Sequence, residues 1–286
     1  MGTIAEKLSY LNGTKNVLKT NLINKSVVLT GNETFRELAN KVNDIQAGGG
    51  KVSPDYVSFY GYMGTSLDLS WLDTSNITFM RNMFSYCSSL TSLDVSNFNT
   101  SKVTTMLGMF ANSSSLTSLD VSNFDTSNLV DMTNMFANCT ALTNLNISNF
   151  NTSNVTTMSQ MFRSCSSLTS LNISNFDTRN LAETQNMFYR CTSLTSIVGI
   201  LDMQKVTSAS NMFNYCSALE EVHIHNLGVN LSLSNSSKLT HDCLVELINN
   251  LQTVTSTKTL TLGLTNLDKL TDAEKQVATN KGWTLA

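Results

Sequence analysis

A Met-Phe pair recurs along the chain at an almost constant interval, and this period limits the possible folds more than any other feature. Successive pairs are separated by 26, 26, 26, 26 and 25 residues. A fixed period of this length is typical of proteins in which each repeat buries its apolar face against the next one. The six pairs are Met83-Phe84, Met109-Phe110, Met135-Phe136, Met161-Phe162, Met187-Phe188 and Met212-Phe213.

Each period contains two apolar patterns. An L-x-x-L-x-V motif such as the one that begins at Leu90 alternates like a strand. Val103, Met106 and Phe110 lie three and four residues apart, which is helical spacing. The polar NFDTSN segment between the two patterns favours a turn and a helix start. The sequence therefore predicts an α/β solenoid of strand-turn-helix rungs, each 25–26 residues long, with a parallel sheet on one face and helices on the other.

The L-x-x-L-x-L-like ladder resembles a leucine-rich repeat, with phenylalanine at the usual asparagine ladder position. The whole unit, LTSLDVSNFDTSNLVDMTNMFANCT, resembles the BspA-like branch of these repeats over roughly residues 66 to 222. This resemblance implies a leucine-rich-repeat-like fold and a surface used for adhesion or binding, not an enzyme. The phenylalanines at the ladder position are Phe98, Phe124, Phe150 and Phe176.

The amino-terminal segment has a different pattern. Two apolar helical stripes predict a helical hairpin that is too small to bury its own apolar surface, so it should oligomerise or dock on another protein. TIAEKLSYLNGTKNVLKTNLINKSV and TFRELANKVNDI resemble the helical leader of tail and baseplate proteins of phages that infect Gram-positive bacteria. The stripes are Ile4, Leu8, Leu11, Leu18 and Leu22, then Phe35, Leu38, Val42 and Ile45.

The carboxy-terminal segment leaves the period after Cys216. HDCLVELINNL and TDAEKQVATNKGW predict helices, and KTLTLGL and WTLA predict strands. A terminal rung needs a cap with a polar outer face, and this ending resembles the cap of phage-borne BspA-like proteins. The predicted organisation is a helical leader and glycine joint at 1–50, an N-terminal cap at 51–66, the repeat solenoid at 67–222 and an α/β cap at 223–286.

Composition argues against several classes of function. The formal net charge of −3 gives no basic field for nucleic acid. No apolar run approaches the roughly 20 residues of a membrane span, and the first residues lack a secretory signal pattern, so synthesis in the cytoplasm without membrane insertion is expected. No phosphate-binding loop or nucleophile motif is present. We therefore expect no enzyme, no catalytic residues and no cofactor.

Five cysteines occupy one repeat position, where Ser113 stands in the second rung. A disulfide ladder and a metal site are the functional alternatives to a column of small buried side chains. The odd number, the serine and the missing secretory signal favour a reduced, buried column. The cysteines are Cys87, Cys139, Cys165, Cys191 and Cys216.

Two further groups of polar residues have side chains that can bind metals. His223 and His225 share one strand face, but no third ligand is near them in sequence. Asp94 and Asp120 stack at one strand position, above which Asn146 and Asn172 follow, and two aspartates can hold a hard cation. A solvated polar ladder is the favoured interpretation, a cation on it is left open, and no metal ligand is predicted.

The candidate ligand-binding residues lie at the two positions that follow each Met-Phe pair. Here the otherwise uniform repeats differ, and several of the varying residues are Tyr and Arg, which offer large contact area and several donors. Ordinary surface variation is the alternative. The candidates are Tyr86, Arg163, Tyr189, Arg190 and Tyr215.

The functional hypothesis is a phage tail-fibre or baseplate protein that recognises the host surface through its repeats. Its predicted partners are a host receptor, either a wall glycan or a surface protein, and other tail proteins bound through residues 1–50. The leader is also predicted to self-associate, for example as a trimer. The expected location is the virion tail. The alternative is an adhesin or protein interaction module at a bacterial cell surface.

Overall fold

The computed structural model describes residues 57–70 and 72–286. The predicted leader at 1–50 and the first residues of the predicted N-terminal cap lie outside this range. The described strands are β1 (Ser118–Asp120), β2 (Asn144–Asn146), β3 (Ser170–Asn172), β4 (Ser196–Asp202), β5 (Glu221–His225), β6 (Leu231–Ser232), β7 (Lys258–Thr261) and β8 (Trp283–Leu285). The helices are α1 (His241–Asn249), α2 (Leu264–Leu267) and α3 (Asp272–Asn280).

The strands form three small parallel sheets, ordered β1-β2, β3-β4-β5 and β6-β7-β8. In the repeats the pairing register equals one period, so Leu119 pairs with Leu145, and Leu171 with Ile197. Each rung thus presents its central apolar residue inward and its polar neighbours outward, as the L-x-x-L-x-V pattern predicts. The stacking of 25–26-residue rungs and the parallel pairing are confirmed.

The segments around the Met-Phe pairs are successive turns, so the prediction of one helix per rung is wrong. In an α-helix the amide of Phe84 would bond to the carbonyl four residues earlier. Instead Phe84 N–H donates to Met109 O at 2.8 Å, and Tyr86 N–H donates to Ala111 O at 2.7 Å. Both acceptors belong to the next rung. The apolar spacing of three and four residues comes from two tight turns, which mimic the helical period.

Two residues in each of these segments have left-handed backbone angles. They lie two positions before and two positions after the phenylalanine, and Asn134 and Asn138, both with φ of 59°, are examples. Asparagine and glycine tolerate this region better than other residues. The full set is Asn82, Gly108, Asn134, Gln160, Asn186 and Asn211 before the phenylalanine, and Tyr86, Asn112, Asn138, Ser164, Arg190 and Tyr215 after it.

Stacked phenylalanine rings form the centre of the core. Successive rings have centroids 5.4–5.7 Å apart and are within 9° of parallel. The column begins at Phe59, which shows that the repeat register extends into the residues predicted as N-terminal cap. Because identical residues face each other in every rung, one packing solution repeats along the stack. The column is Phe59, Phe84, Phe110, Phe136, Phe162, Phe188 and Phe213.

A column of buried threonines joins successive rungs on the other side of the core. Thr126, only 1% exposed, donates its hydroxyl to Asn151 O at 2.9 Å and accepts from Asn151 N–H at 2.8 Å. One side chain therefore satisfies both backbone groups of a residue in the next rung. The column is Thr74, Thr100, Thr126, Thr152 and Thr178.

An asparagine ladder runs beside this column, although the sequence assigned the ladder position to phenylalanine. Asn123 donates its side-chain amide to Val95 O at 3.0 Å and to Phe98 O at 3.1 Å, both in the preceding rung. The residue directly before each of the predicted phenylalanines makes bonds of this kind, so the assignment to phenylalanine is wrong. The phenylalanine is a buried core residue. The ladder is Asn97, Asn123, Asn149 and Asn175.

The repeat cysteines are free and buried, and each donates its thiol to a phenylalanine carbonyl of the preceding rung. Cys165 Sγ lies 3.2 Å from Phe136 O, and Ser113 takes the same role with Oγ at 2.8 Å from Phe84 O. Burial raises the pKa of Cys139 to about 12, which keeps the thiol protonated as a donor. The column has a structural role.

Strand β4 contains a bulge. Its register with β5 shifts between Ile197 and Ile200. Gly199, at φ 113°, lies in this bulge, where an added Cβ would come within 2.7 Å of Ser174 N and 2.8 Å of Ile173 C. Only glycine fits so close to the neighbouring backbone.

The carboxy-terminal cap has the predicted elements, since α1, β7, α3 and β8 match the four segments read from sequence. Thr240 begins α1 by accepting from Cys243 N–H at 3.2 Å, as a helix cap should. Cys243 Sγ donates to Val222 O at 3.2 Å, which continues the thiol pattern of the repeats into the cap. The short helix α2 was not predicted.

The threonine column gives a direct test of how rungs are joined. Thr126→Val keeps the volume and removes two hydrogen bonds to Asn151. We expect the free energy of unfolding to fall by about 2 kcal/mol, from about 1 kcal/mol for each bond. Thr143→Val is the matched control, because Thr143 is exposed and its hydroxyl only donates to Thr117 O at 3.1 Å. Urea unfolding of both variants is the measurement, and equal losses would contradict the special role of the buried column.

Candidate functional site

Four of the five predicted ligand-binding residues form one surface cluster. Arg163 and Arg190 place their guanidinium carbons 5.6 and 5.5 Å from the centroid of the Tyr189 ring. Arg190 also lies 5.3 Å from the Tyr215 ring, which meets Tyr189 edge-on at 5.4 Å. We call Arg163, Tyr189, Arg190 and Tyr215 the Arg–Tyr cluster. It spans three successive rungs and leaves Tyr215 about half exposed, at 48%.

The fifth candidate, Tyr86, lies elsewhere on the same edge. Its ring packs against Tyr60 at 5.2 Å, and two rungs separate it from the Arg–Tyr cluster. Those two rungs carry Asn112 and Asn138, whose side chains bond to each other at 2.9 Å. The predicted site therefore divides into two patches. Tyr60 was not among the candidates, because its rung has Ser58-Phe59 where the other rungs have a Met-Phe pair. Only the spacing of 25 residues between Phe59 and Phe84 could have identified this rung from the sequence.

Backbone conformation sets the cluster apart from ordinary surface variation. Arg190 and Tyr215 have φ values of 60° and 66°, at the position that Asn112 and Asn138 occupy in other rungs. An Arg or Tyr in this region costs roughly 1–2 kcal/mol, and asparagine suits it better. The hydrogen bonds between rungs hold the conformation, for example Arg190 N–H to Asn214 O at 2.9 Å. Large side chains thus occupy positions where stability alone favours asparagine.

The charges of the cluster are not neutralised by any ion pair in the described part of the chain. Among residues 57–70 and 72–286, neither Arg163 nor Arg190 forms an ion pair. By contrast, Arg179 pairs with Asp177 at 2.7 Å. The guanidinium groups of the cluster lie over tyrosine rings, a cation–π contact that does not use up their N–H donors.

The polar strand ladder has its oxygen atoms engaged in turns. Asp94 accepts from Ser96 N–H at 2.9 Å and Asp120 from Ser122 N–H at 3.0 Å, and Asn146 and Asn172 accept in the same way. Bonds to these serines lower the pKa of both aspartates. The ladder is a row of turn-forming side chains on the strand face, and whether a cation binds there stays open.

His223 and His225 share a strand face, as predicted, and both contact one carboxylate. Glu246 of α1 lies 2.7 Å from His223 Nδ1 and 2.9 Å from His225 Nε2. The bonds from His225 and His223 lower the pKa of Glu246. Sequence reasoning missed Glu246 because it comes from a separate element. The described part of the chain contains no group of three His, Cys, Asp or Glu residues placed to hold a metal.

Comparison with known proteins places the repeats in a family. The family model described as "Mycoplasma protein of unknown function, DUF285" matches residues 57–145 and 117–226. The chain belongs to the DUF285 family. The DUF285 match supports the BspA-like repeat read from the sequence, and it begins close to Phe59, where the phenylalanine column begins. The phage origin stays a prediction.

Two further comparisons concern solved structures and curated proteins. The DUF285 chain is similar to the solved structure of the T. pallidum leucine-rich repeat protein, with 16% identity and a TM-score of 0.40, over 77% of this chain and 84% of that chain. No curated protein matches the chain in sequence. In the part of the chain that the structure describes, no helix is long and apolar enough to cross a membrane.

The stability of the fold should depend on pH, because a carboxylate in one of the turns has a lowered pKa. The bonds from Arg179 lower the pKa of Asp177 from 3.8 to about 2, so the charged form stabilises the fold. This stabilisation is complete above the ordinary value and is lost as the pH falls from about 4 to about 2. Asp177→Asn keeps the turn acceptor, as Asn151 shows by accepting from Ser153 at 3.1 Å, but removes the titration. We expect its urea midpoint to decline less than that of the parent over this range, and an equal decline would contradict the assignment.

Proposed function

We propose that this protein is an adhesion module whose repeat stack presents the Arg–Tyr cluster to a ligand on a cell surface. The observation that carries the proposal is the contact of two arginines with two tyrosines across three rungs. Neither arginine has an ion-pair partner among the described residues. Tyr and Arg dominate the energetically important positions of binding sites. The backbone conformations of Arg190 and Tyr215 favour asparagine, so the presence of large side chains there supports a role other than stability.

The strand face is the competing surface. Repeat proteins often bind through the extended surface of their strands. Here that face offers mainly short Ser, Asp and Asn side chains, and Asp94 and Asp120 already accept bonds from their own turns. Such groups give few anchors for tight binding. The edge that carries the Arg–Tyr cluster is therefore the better candidate.

For the setting we propose a phage tail or baseplate, in which residues 1–50 attach the module to other tail proteins and drive self-association. The support is the resemblance of the leader to tail proteins of phages of Gram-positive bacteria. The second candidate is an adhesin or interaction module at a bacterial surface, which the family match to a mycoplasma protein family favours. Immunogold labelling decides between them: label on phage tails supports the first, and label only on cell envelopes excludes it.

A substitution that copies a natural rung tests the proposed site. Tyr189→Ala with Arg190→Asn converts this rung to the Ala-Asn pair found at Ala111-Asn112 and Ala137-Asn138. The fold should tolerate the change, since Asn112 and Asn138 adopt the same left-handed conformation. We expect binding of the full chain to a panel of Gram-positive cells to fall at least tenfold.

The control changes the strand face in an equally conservative way. Asp94→Asn with Asp120→Asn copies Asn146 and Asn172 of later rungs and keeps the turn bonds. This control should bind cells as the parent does. If the control loses binding and the edge variant keeps it, the strand face is the site. If the parent chain binds none of the cells, the adhesion proposal is wrong.

A further inference from the structure

The Arg–Tyr cluster also indicates what kind of ligand it takes. We propose that it binds an anionic glycan, whose carboxylate or phosphate groups contact Arg163 and Arg190 while a sugar ring packs on Tyr189 or Tyr215. The inference rests on the proposed function and goes further, because adhesion by itself does not require a charged ligand.

The first argument is the arrangement of charge. Both guanidinium carbons lie within 5.6 Å of the centre of the same Tyr189 ring, so both charges are beside one aromatic surface. Neither forms an ion pair in the described part of the chain. An anion that contacts these arginines would gain Coulomb attraction, and a neutral ligand would not.

The second argument is that the residues bonded to the backbone of the cluster are uncharged. The backbone around the cluster bonds to Asn138, Ser164 and Asn214, and Tyr215 N–H donates to the side chain of Asn235 at 3.2 Å. None of these side chains can neutralise an arginine or repel an anion. An acidic ligand would therefore meet two positive charges on a chain whose formal net charge is −3.

The third argument concerns geometry. A guanidinium group that stacks on an aromatic ring keeps its N–H edge available, and this edge matches the paired oxygens of a carboxylate or phosphate. Tyrosine rings offer apolar faces to the C–H groups of a sugar and a hydroxyl for hydrogen bonding. Arg163 and Arg190 belong to successive rungs, so the cluster offers two positive charges to one ligand. A polymer with several anionic groups can contact both.

The fourth argument concerns the cost of binding. Arg190 and Tyr215 are in the left-handed region, where the amide of Arg190 bonds to Asn214 O and the amide of Tyr215 bonds to the side chain of Asn235. The tyrosine contacts limit the rotamers of both arginines. Ordering side chains on binding costs affinity, and a prearranged site loses less. The left-handed backbone and the restricted rotamers therefore favour a ligand that binds arginine side chains already held in position.

The test measures binding of the full chain to three polymers by isothermal titration calorimetry. Poly(glycerol phosphate) provides phosphates, polygalacturonate provides carboxylates on sugars, and dextran is a neutral glycan. We expect at least one anionic polymer to bind and dextran to bind at least tenfold more weakly. Arg163→Gln with Arg190→Gln should reduce the anionic binding at least tenfold. The preference between the two anionic polymers identifies which acidic group the cluster prefers.

The control removes the same number of charges elsewhere. Lys102 and Lys205 are exposed and bond to the side-chain oxygens of Asn76 and Asn180, away from the Arg–Tyr cluster. Lys102→Gln with Lys205→Gln should bind as the parent does. Equal losses in the two double variants would show attraction by overall charge and would overturn the inference. Thermal unfolding of each variant confirms that the fold is retained.

The outcomes separate this inference from the adhesion proposal. If the parent binds cells but neither anionic polymer, or if dextran binds equally well, the anionic ligand is wrong and adhesion stands. If the arginine variant binds the anionic polymers as the parent does, the cluster is not their site. If the parent binds neither cells nor polymers, both proposals fail.

Discussion

Hydrogen bonds between equivalent residues of successive rungs are the interaction on which the rest of this structure depends. In the turn segment around each phenylalanine, alternate amides bond within the segment, as Ala137 N–H does to Asn134 O at 3.0 Å. The amides between them bond to the next rung, as Phe136 N–H does to Met161 O at 2.9 Å. A single rung would leave these groups unpaired, which is costly when they are buried. The threonine column satisfies further backbone groups of the next rung, and the asparagine and cysteine columns satisfy backbone groups of the preceding rung. The repetition of one sequence is thus a requirement of backbone pairing as much as of core packing.

This ladder also explains how an exposed edge can present large side chains in fixed positions. The residue two places after each phenylalanine has a left-handed conformation, and in all but the last repeat its amide bonds to the next rung. Where stability alone acts, asparagine is the suitable residue, as at Asn112 and Asn138. The ladder holds Arg190 in this conformation, although arginine disfavours it, and a bond to the side chain of Asn235 does the same for Tyr215. The stability of the stack as a whole therefore maintains the geometry of the proposed binding site.

The sequence predicted the parts of the fold that depend on apolar spacing. The period, the strand residues such as Leu119 and Leu171, and the four main cap elements follow from patterns that side-chain burial imposes. The turn segments could not be told from helices, because two tight turns place apolar residues three and four apart. One signal was available: asparagines such as Asn134 and Asn138 recur four residues apart, and asparagine is a poor helix former that tolerates left-handed angles.

The same limits apply to the candidate site. Variation among repeats pointed to the edge and to Tyr189 and Arg190, but the separation of Tyr86 from the Arg–Tyr cluster needed the stack itself. Glu246 was missed since only the folded cap brings it to His223 and His225. Contacts between distant segments are the information that periodicity lacks.

The central claim is that the turn segments bond between rungs and not within a helix. Trans-hydrogen-bond scalar couplings, measured by TROSY NMR on the deuterated full chain, test it directly at Arg190. The account predicts that the amide nitrogen of Arg190 couples to the carbonyl carbon of Asn214, because the two atoms share a hydrogen bond of 2.9 Å between nitrogen and oxygen. A coupling to the carbonyl carbon of Asn186, four residues earlier, would identify an α-helix and contradict the account.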